Sequence, residues 1–211
     1  MECSAQLCVG KAMTSFAINW DYRCPFARNM HEHLVAALQG GAPWKVDFVP
    51  FSLGQVHVEE GSLSVWDDPS KENELLAVAA GLTVHHQFPE AFLDFHRAMF
   101  QARHDLAQDI SDWNVIAKVL GEHQINAELV YKAIEQGDIL AEYRERHTDS
   151  VERLAVFGVP TFIIGETATF VRVMTRPTGD PQHSIDLITS LLNVMEQHPE
   201  FNEIKQTTIP R

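Results

Sequence analysis

Among the side chains able to do covalent chemistry near neutral pH, Cys24 is marked out by the residues after it. Pro25 comes next, and Ala27, Met30, Leu34, Ala37 and Leu38 then recur with the period of about 3.6 residues that defines one face of a helix. Proline is well accepted at the first helical position, where its missing N–H would have no partner, so the spacing predicts Cys24 at the N-cap. A sulfur placed there meets unpaired backbone N–H groups and the positive end of the helix dipole, and both favour the nucleophilic thiolate. Arg23 and Arg28 flank the position and are expected to add to this, so the expectation is a Cys24 pKa below that of a free thiol. From position alone the same cysteine serves equally well as a small capping or packing residue.

The remaining chemistry-bearing residues give weaker patterns. His31 and His33 share the helix after Cys24, but a spacing of two turns their rings about 200° apart. His85 and His86 are adjacent, and His96 and His104 lie two turns apart. None of these has the i, i+4 spacing of a helical metal pair and no cysteine joins them, so no metal site is expected. His31 is expected at the surface rather than as a general base. Glu59-Glu60 and Asp67-Asp68 read as solvated loop faces, and Trp20 and Phe51 as core aromatics. Phe26, at the helix tip, is the aromatic best placed to meet a partner. Cys3 and Cys8 read as bystanders in a loose N-terminal segment.

The elements that must position Cys24 can be read from local patterns. Thr14 to Tyr22 alternates Phe16, Ile18 and Trp20 on one face and predicts a strand; the helix after Cys24 stops at Gly40-Gly41; Trp44 to Leu53 predicts a second strand. Strand, helix and strand at this spacing make a right-handed βαβ unit with a parallel pair. Helices are predicted over 71–87, 89–104, 111–121, 126–136 and 138–157, marked by Pro89, Ser111, Asn126, Gly137 and Asp138, with the last ended by Gly158. Thr161 to Ile164 and Phe170 to Met174, with Gly165 between them, predict an antiparallel hairpin, and a closing helix is predicted over 182–197. The expected fold class is α/β, a sheet built from the two ends of the chain with a large all-helical insertion. The expected organisation is a flexible tail over 1–13, a sheet domain from 14–70 and 158–198, a helical insertion over 71–157, and a C-terminal tail over 199–211.

Composition narrows the function classes. With 16 Lys and Arg against 29 Asp and Glu in 211 residues, the net charge of −13 leaves no clustered cations for a nucleic-acid backbone. No apolar stretch approaches the roughly 20 residues of a membrane span. Met1 to Met13 lacks the basic and apolar regions of a signal peptide, and three cysteines are an odd count for a disulfide framework. A cytoplasmic protein with neither nucleic-acid nor membrane partners is expected. Exposed apolar positions in the helical block leave room for a homodimer.

Asp21-Tyr22-Arg23-Cys24-Pro25-Phe26-Ala27, taken together with Gly158-Val159-Pro160-Thr161-Phe162, resembles the DsbA family of the thioredoxin superfamily. In that family a Cys-Pro-x-Cys motif opens the first helix, an all-helical domain is inserted, and a cis-proline precedes the third strand; the resemblance spans residues 14 to 198. It implies a thioredoxin-like fold, a catalytic Cys24, and a substrate-binding surface formed by Pro25, Phe26, Ala27, Val159, Pro160 and Thr161. It also implies that Pro160 is cis and offers the Val159 backbone N–H and C=O to an extended thiol substrate. The alternative is a trans Pro160 opening a strand, which no sequence argument alone excludes.

The departure from the family is at Ala27, which stands where dithiol members carry their second cysteine. Cys24 keeps the chemistry of attack on a disulfide, but no motif neighbour resolves the product. The leading expectation is a single-cysteine thiol oxidoreductase without a tightly bound cofactor, exchanging with protein thiols or disulfides and resolved by a low-molecular-weight thiol such as glutathione or mycothiol. A second is a transferase or isomerase holding a small thiol cofactor, as in the kappa-class glutathione transferases and 2-hydroxychromene-2-carboxylate isomerases, which share the architecture and use a serine near the Cys24 position. A third is a non-catalytic binding module. Loss of turnover in Cys24→Ser, affinity for glutathione, and an ordinary thiol pKa without turnover distinguish the three in that order.

Overall fold

In the computed structural model, residues 14–208 are described; the N-terminal segment with Cys3 and Cys8, and residues 209–211, lie outside them. The alternation of Phe16, Ile18 and Trp20 produces β1 (Thr14–Trp20), with all three side chains buried. β1 runs parallel to β2 (Trp44–Pro50) and antiparallel to β3 (Thr161–Ile164), and β3 pairs with β4 (Thr167–Phe170), giving the order β2-β1-β3-β4. The parallel pair is connected by α1 (Pro25–Gln39). Between β2 and β3 come a short α2 (Leu53–Val56) and the helical block α3 (Glu72–Gln87), α4 (Pro89–His104), α5 (Trp113–Glu122), α6 (Ala127–Glu135) and α7 (Asp138–Leu154). The closing α8 (Pro181–Gln197) packs on α1, which also packs on α4. This is an α/β fold with an all-helical insertion. No described helix is long and apolar enough to cross a membrane.

Several boundaries differ from the sequence expectation, each for a local reason. β1 ends at Trp20 because Asp21 and Tyr22 turn toward Cys24, whose N–H bonds Asp21 O at 3.1 Å. β2 ends at Pro50, and the Ser52 hydroxyl caps the unexpected α2 through Gln55 N. α7 stops at Leu154, before Gly158, because Ala155 takes the left-handed conformation. β4 is Thr167–Phe170 rather than 170–174: a two-residue turn at Gly165-Glu166 pairs Ile164 directly with Thr167, so the strand is spent by Phe170.

A buried polar seam joins α1 to the helical block. Asn19 O can only accept, so His31 Nε2 donates to it at 3.0 Å; His31 Nδ1 then accepts from His96 Nε2 at 3.0 Å, and His96 Nδ1 accepts from the Tyr22 hydroxyl at 2.8 Å. His31 is therefore not at the surface: it, His96 and Tyr22 are fully buried. The expectation placed His31 by its own helix and had no access to α4, which covers that face. Tyr22 reaches His96 past Gly81 of α3, where a Cβ would stand 2.5 Å from the Tyr22 hydroxyl. Burial holds the His31 pKa down to about 4 and pushes that of His96 well below its ordinary value. His147 of α7, which accepts the Ser52 N–H at 3.2 Å, is likewise held at about 4 by burial.

These neutral histidines set an acid limit. Unfolded, His31 and His147 each take up a proton near pH 6.5; folded, they do not until about pH 4, so the stability is complete above about 6.5 and is lost as pH falls through that window. By about pH 5 the loss is on the order of 1–2 kcal/mol per histidine. The urea midpoint should accordingly be lower at about pH 5 than at about pH 7. His147→Gln, which keeps an acceptor for Ser52 without titrating, should narrow that difference; equal midpoints in the parent protein would contradict the burial of His31 and His147 as neutral groups.

Candidate active site

Cys24 occupies the N-cap of α1 with extended backbone, and Pro25 is the first helical residue. Its Sγ accepts from Ala27 N at 3.4 Å and lies 3.3 Å from Val159 O, to which the thiol S–H donates. The Val159–Pro160 peptide is cis. The structure thus brings Cys24, Pro25, Phe26 and Ala27 at the tip of α1 against Val159, Pro160 and Thr161 at the start of β3. Pro25 is exposed, Phe26 half-buried, and Ala27, Val159, Pro160 and Thr161 buried. Trp20 and Phe51 are fully buried core residues.

The electrostatics reverse the expectation of a lowered pKa. Cys24 is only 8% exposed, and burial pushes its thiol up from the ordinary value, against the backbone N–H groups of Ala27 and Phe26, which favour the anion. The bond to Val159 O adds to the same result, because a carbonyl accepts only from the protonated thiol. The two arginines expected to help are engaged elsewhere. Arg23 bonds Asp21 at 2.8 Å and Glu74 at 3.0 Å; Arg28 bonds Glu32 and Asp105. The buried Asp21 carboxylate itself opposes the thiolate, and the cation that acts in its favour is Arg172, from a segment remote in sequence.

Two residues to which the sequence reading gave no role hold the site in shape. Asn19, fully buried in β1, donates from Nδ2 to Gly158 O at 3.1 Å and accepts Thr161 N at 2.6 Å, so one amide clamps both sides of the Val159–Pro160 turn. Thr161 Oγ1 closes the turn by donating to Gly158 O at 2.8 Å. Asp21, 1% exposed, receives Arg23 N, Arg23 Nε and Leu53 N, tying the turn before Cys24 to α2. The available signal was an asparagine inside the apolar run Phe16-Ala17-Ile18-Asn19-Trp20: a buried amide has to find partners. Among the described residues, no group of three or more His, Cys, Asp or Glu is arranged to hold a metal ion.

Comparison with known proteins fits this geometry. The family described as DSBA-like thioredoxin domain matches residues 18–177. Among solved structures, Pseudomonas aeruginosa DsbA superposes with a TM-score of 0.57 at 16% identity, covering 95% of this chain and 94% of its own. A 2-hydroxychromene-2-carboxylate isomerase gives 0.58 at 13% identity, with 89% and 98% covered. The cytosolic disulfide reductase DsbM from Pseudomonas aeruginosa, solved with GSH, gives 0.58 at 13% identity, with 85% and 99% covered. At these identities the likeness is one of fold. No curated protein matches the sequence.

The site geometry has two measurable outcomes. Alkylation of Cys24 by iodoacetamide, read out by mass spectrometry, should accelerate with pH to a midpoint above that of an exposed thiol; a midpoint below neutrality would contradict the burial argument. Asn19→Ala strands Gly158 O and Thr161 N and should cost about 2–4 kcal/mol in urea unfolding. The same change should lower the alkylation midpoint, since the turn that covers Sγ is no longer held.

Proposed function

The chain belongs to the DSBA-like thioredoxin domain family, and from that membership we propose that it is a thiol–disulfide oxidoreductase working through Cys24 alone. The observation that carries the reading is the juxtaposition of the Cys24 sulfur with the Val159–Pro160 turn, 3.3 Å from Val159 O. Such a turn offers backbone groups against which an extended partner can lay its own disulfide beside the nucleophile.

The exchange runs in two displacements. The Cys24 thiolate attacks one sulfur of a disulfide, forming a mixed disulfide and expelling the other half as a thiolate, which takes up the proton Cys24 gave up. Ala27 offers no second thiol, so an external thiolate attacks the partner's sulfur in the mixed disulfide and the electron pair of the broken S–S bond returns to Cys24. A low-molecular-weight thiol such as glutathione or mycothiol fills this role. A cytoplasmic setting supplies such a thiol pool, and the DsbM neighbour was solved with GSH.

The raised thiol pKa belongs to the resting site. When the backbone N–H of a partner takes Val159 O, the Cys24 S–H loses its acceptor, and the Ala27 N–H at 3.4 Å is left to stabilise the anion. A sulfur of raised pKa is scarcer as thiolate but intrinsically a stronger nucleophile, which suits attack on a disulfide more than expulsion from one. The site is thus better matched to reduction of disulfides with a thiol co-substrate than to donation of disulfides.

Glutathione-dependent reduction of a mixed disulfide substrate should be measurable in the parent protein and abolished in Cys24→Ser, and trapping with glutathione disulfide should place one glutathionyl group on Cys24. Turnover that survives Cys24→Ser would overturn the reading in favour of a transferase or isomerase that binds the thiol as cofactor.

A further inference from the structure

The segment after β4 has no regular structure, yet its backbone is fixed on both sides of one residue. Val171 N donates to Pro160 O at 3.1 Å, and Val173 O accepts from Asn29 Nδ2 of α1 at 3.0 Å. Further along, Thr175 O accepts from His33 Nε2 at 3.2 Å, and Arg176 bonds the buried Glu32 of α1 at 2.5 Å. Between the first two anchors sits Arg172. One anchor belongs to the cis-proline turn and the other to the helix that Cys24 caps, so its position is defined by the two halves of the candidate site.

The Arg172 guanidinium lies 5.2 Å from the centroid of the Phe26 ring and 5.8 Å from that of Phe170. Stacking uses the faces of the guanidinium plane and leaves its in-plane N–H donors for an acceptor. Among the described residues Arg172 makes no ion pair and no hydrogen bond, in a chain where Arg23, Arg28, Arg146, Arg153 and Arg176 each engage two carboxylates. Acidic residues outnumber basic ones 29 to 16, so an arginine left without a carboxylate beside the thiol is not for want of candidates. Its field reaches beyond its own side chain: it favours the Cys24 thiolate, and after Lys205 it helps hold the exposed Glu203 carboxyl below its usual range.

We infer that Arg172, stacked on Phe26 and Phe170 beside Cys24, recognises the carboxylate of an anionic thiol or disulfide and sets the charge preference of the site. The inference rests on the thiol–disulfide chemistry proposed for Cys24 and names the substrate class: small thiol compounds or peptides that carry a carboxylate near the sulfur. The aromatic pair holds the arginine's face, the carboxylate takes its edge, and the partner's sulfur is thereby brought toward Sγ.

The test uses the full chain with Cys3→Ser and Cys8→Ser, leaving Cys24 as the sole thiol, and two disulfide probes: dianionic dithionitrobenzoate and dithiodipyridine, uncharged at neutral pH. Arg172 also influences the ionisation of Cys24, so the informative quantity is the ratio of the two rate constants, from which the thiolate fraction cancels. Arg172→Gln should lower the anionic-to-neutral ratio about fivefold, and added salt should bring the parent ratio toward the variant's. Arg172→Lys should retain most of the preference. Equal slowing with both probes would reduce Arg172 to an effect on the thiol and overturn the inference while leaving the function standing. A Cys24 that reacts with neither probe would overturn both.

Discussion

Asn19 presents a side-chain amide in the middle of the sheet, where no water reaches it, and its two ends are met by Gly158 O and Thr161 N. An amide buried without partners is costly, so the turn containing Val159 and Pro160 is fixed to β1 rather than left to its own flexibility. The same strand runs on through Asp21 and Tyr22 into Cys24. Two segments distant in sequence are therefore tied to one point, and the 3.3 Å approach of Sγ to Val159 O is a consequence of that tie. The backbone carbonyl of Asn19 in turn accepts from His31, which is bonded by His96 and, behind it, Tyr22, so the helical block supports the strand from the other side.

The same closeness decides the electrostatics. A helix N-terminus favours an anion, and Ala27 N does point at Sγ. Set against it are removal of the sulfur from water, the carboxylate of Asp21, and a carbonyl that accepts only from the protonated form. Burial is the largest of these and prevails in the resting site. Such a balance can be tipped by whatever occupies Val159 O or brings charge nearby, which makes the thiol's state dependent on its partner. Ala27 fits this arrangement: it is fully buried, and its N–H supplies the contact to Sγ while its side chain offers no second thiol.

Charge elsewhere in the site is distributed by pairing. Arg23 and Arg28, next to Cys24 in sequence, are absorbed by Asp21, Glu74, Glu32 and Asp105, and these pairs hold the turn before α1 and the contact of α1 with the end of α4. Arg176 joins the second set and fastens the chain after β4 to α1. The consequence is that, among the described residues, Arg172, remote in sequence, is the cation left beside the thiol, because the arginines nearest in sequence serve the fold.

What the sequence determined by itself was local. Pro25 after Cys24 and the apolar period behind them were enough to place the N-cap; alternation gave β1; and the caps Asn126 and Gly137 marked helix starts within a residue. The paired motifs around Cys24 and Pro160 also pointed to the right fold, since each is a short segment whose meaning lies in its own residues. The tertiary structure alone decided the direction of the Cys24 pKa, the burial of His31, the end of β4 and the place of Arg172. Capping and periodicity act over a few neighbouring residues and are written in order along the chain. Desolvation and ion pairing are instead sums over whatever the fold brings within a few ångströms, and for Cys24 and His31 those neighbours come from β3, α4 and the segment after β4, which no local pattern announces.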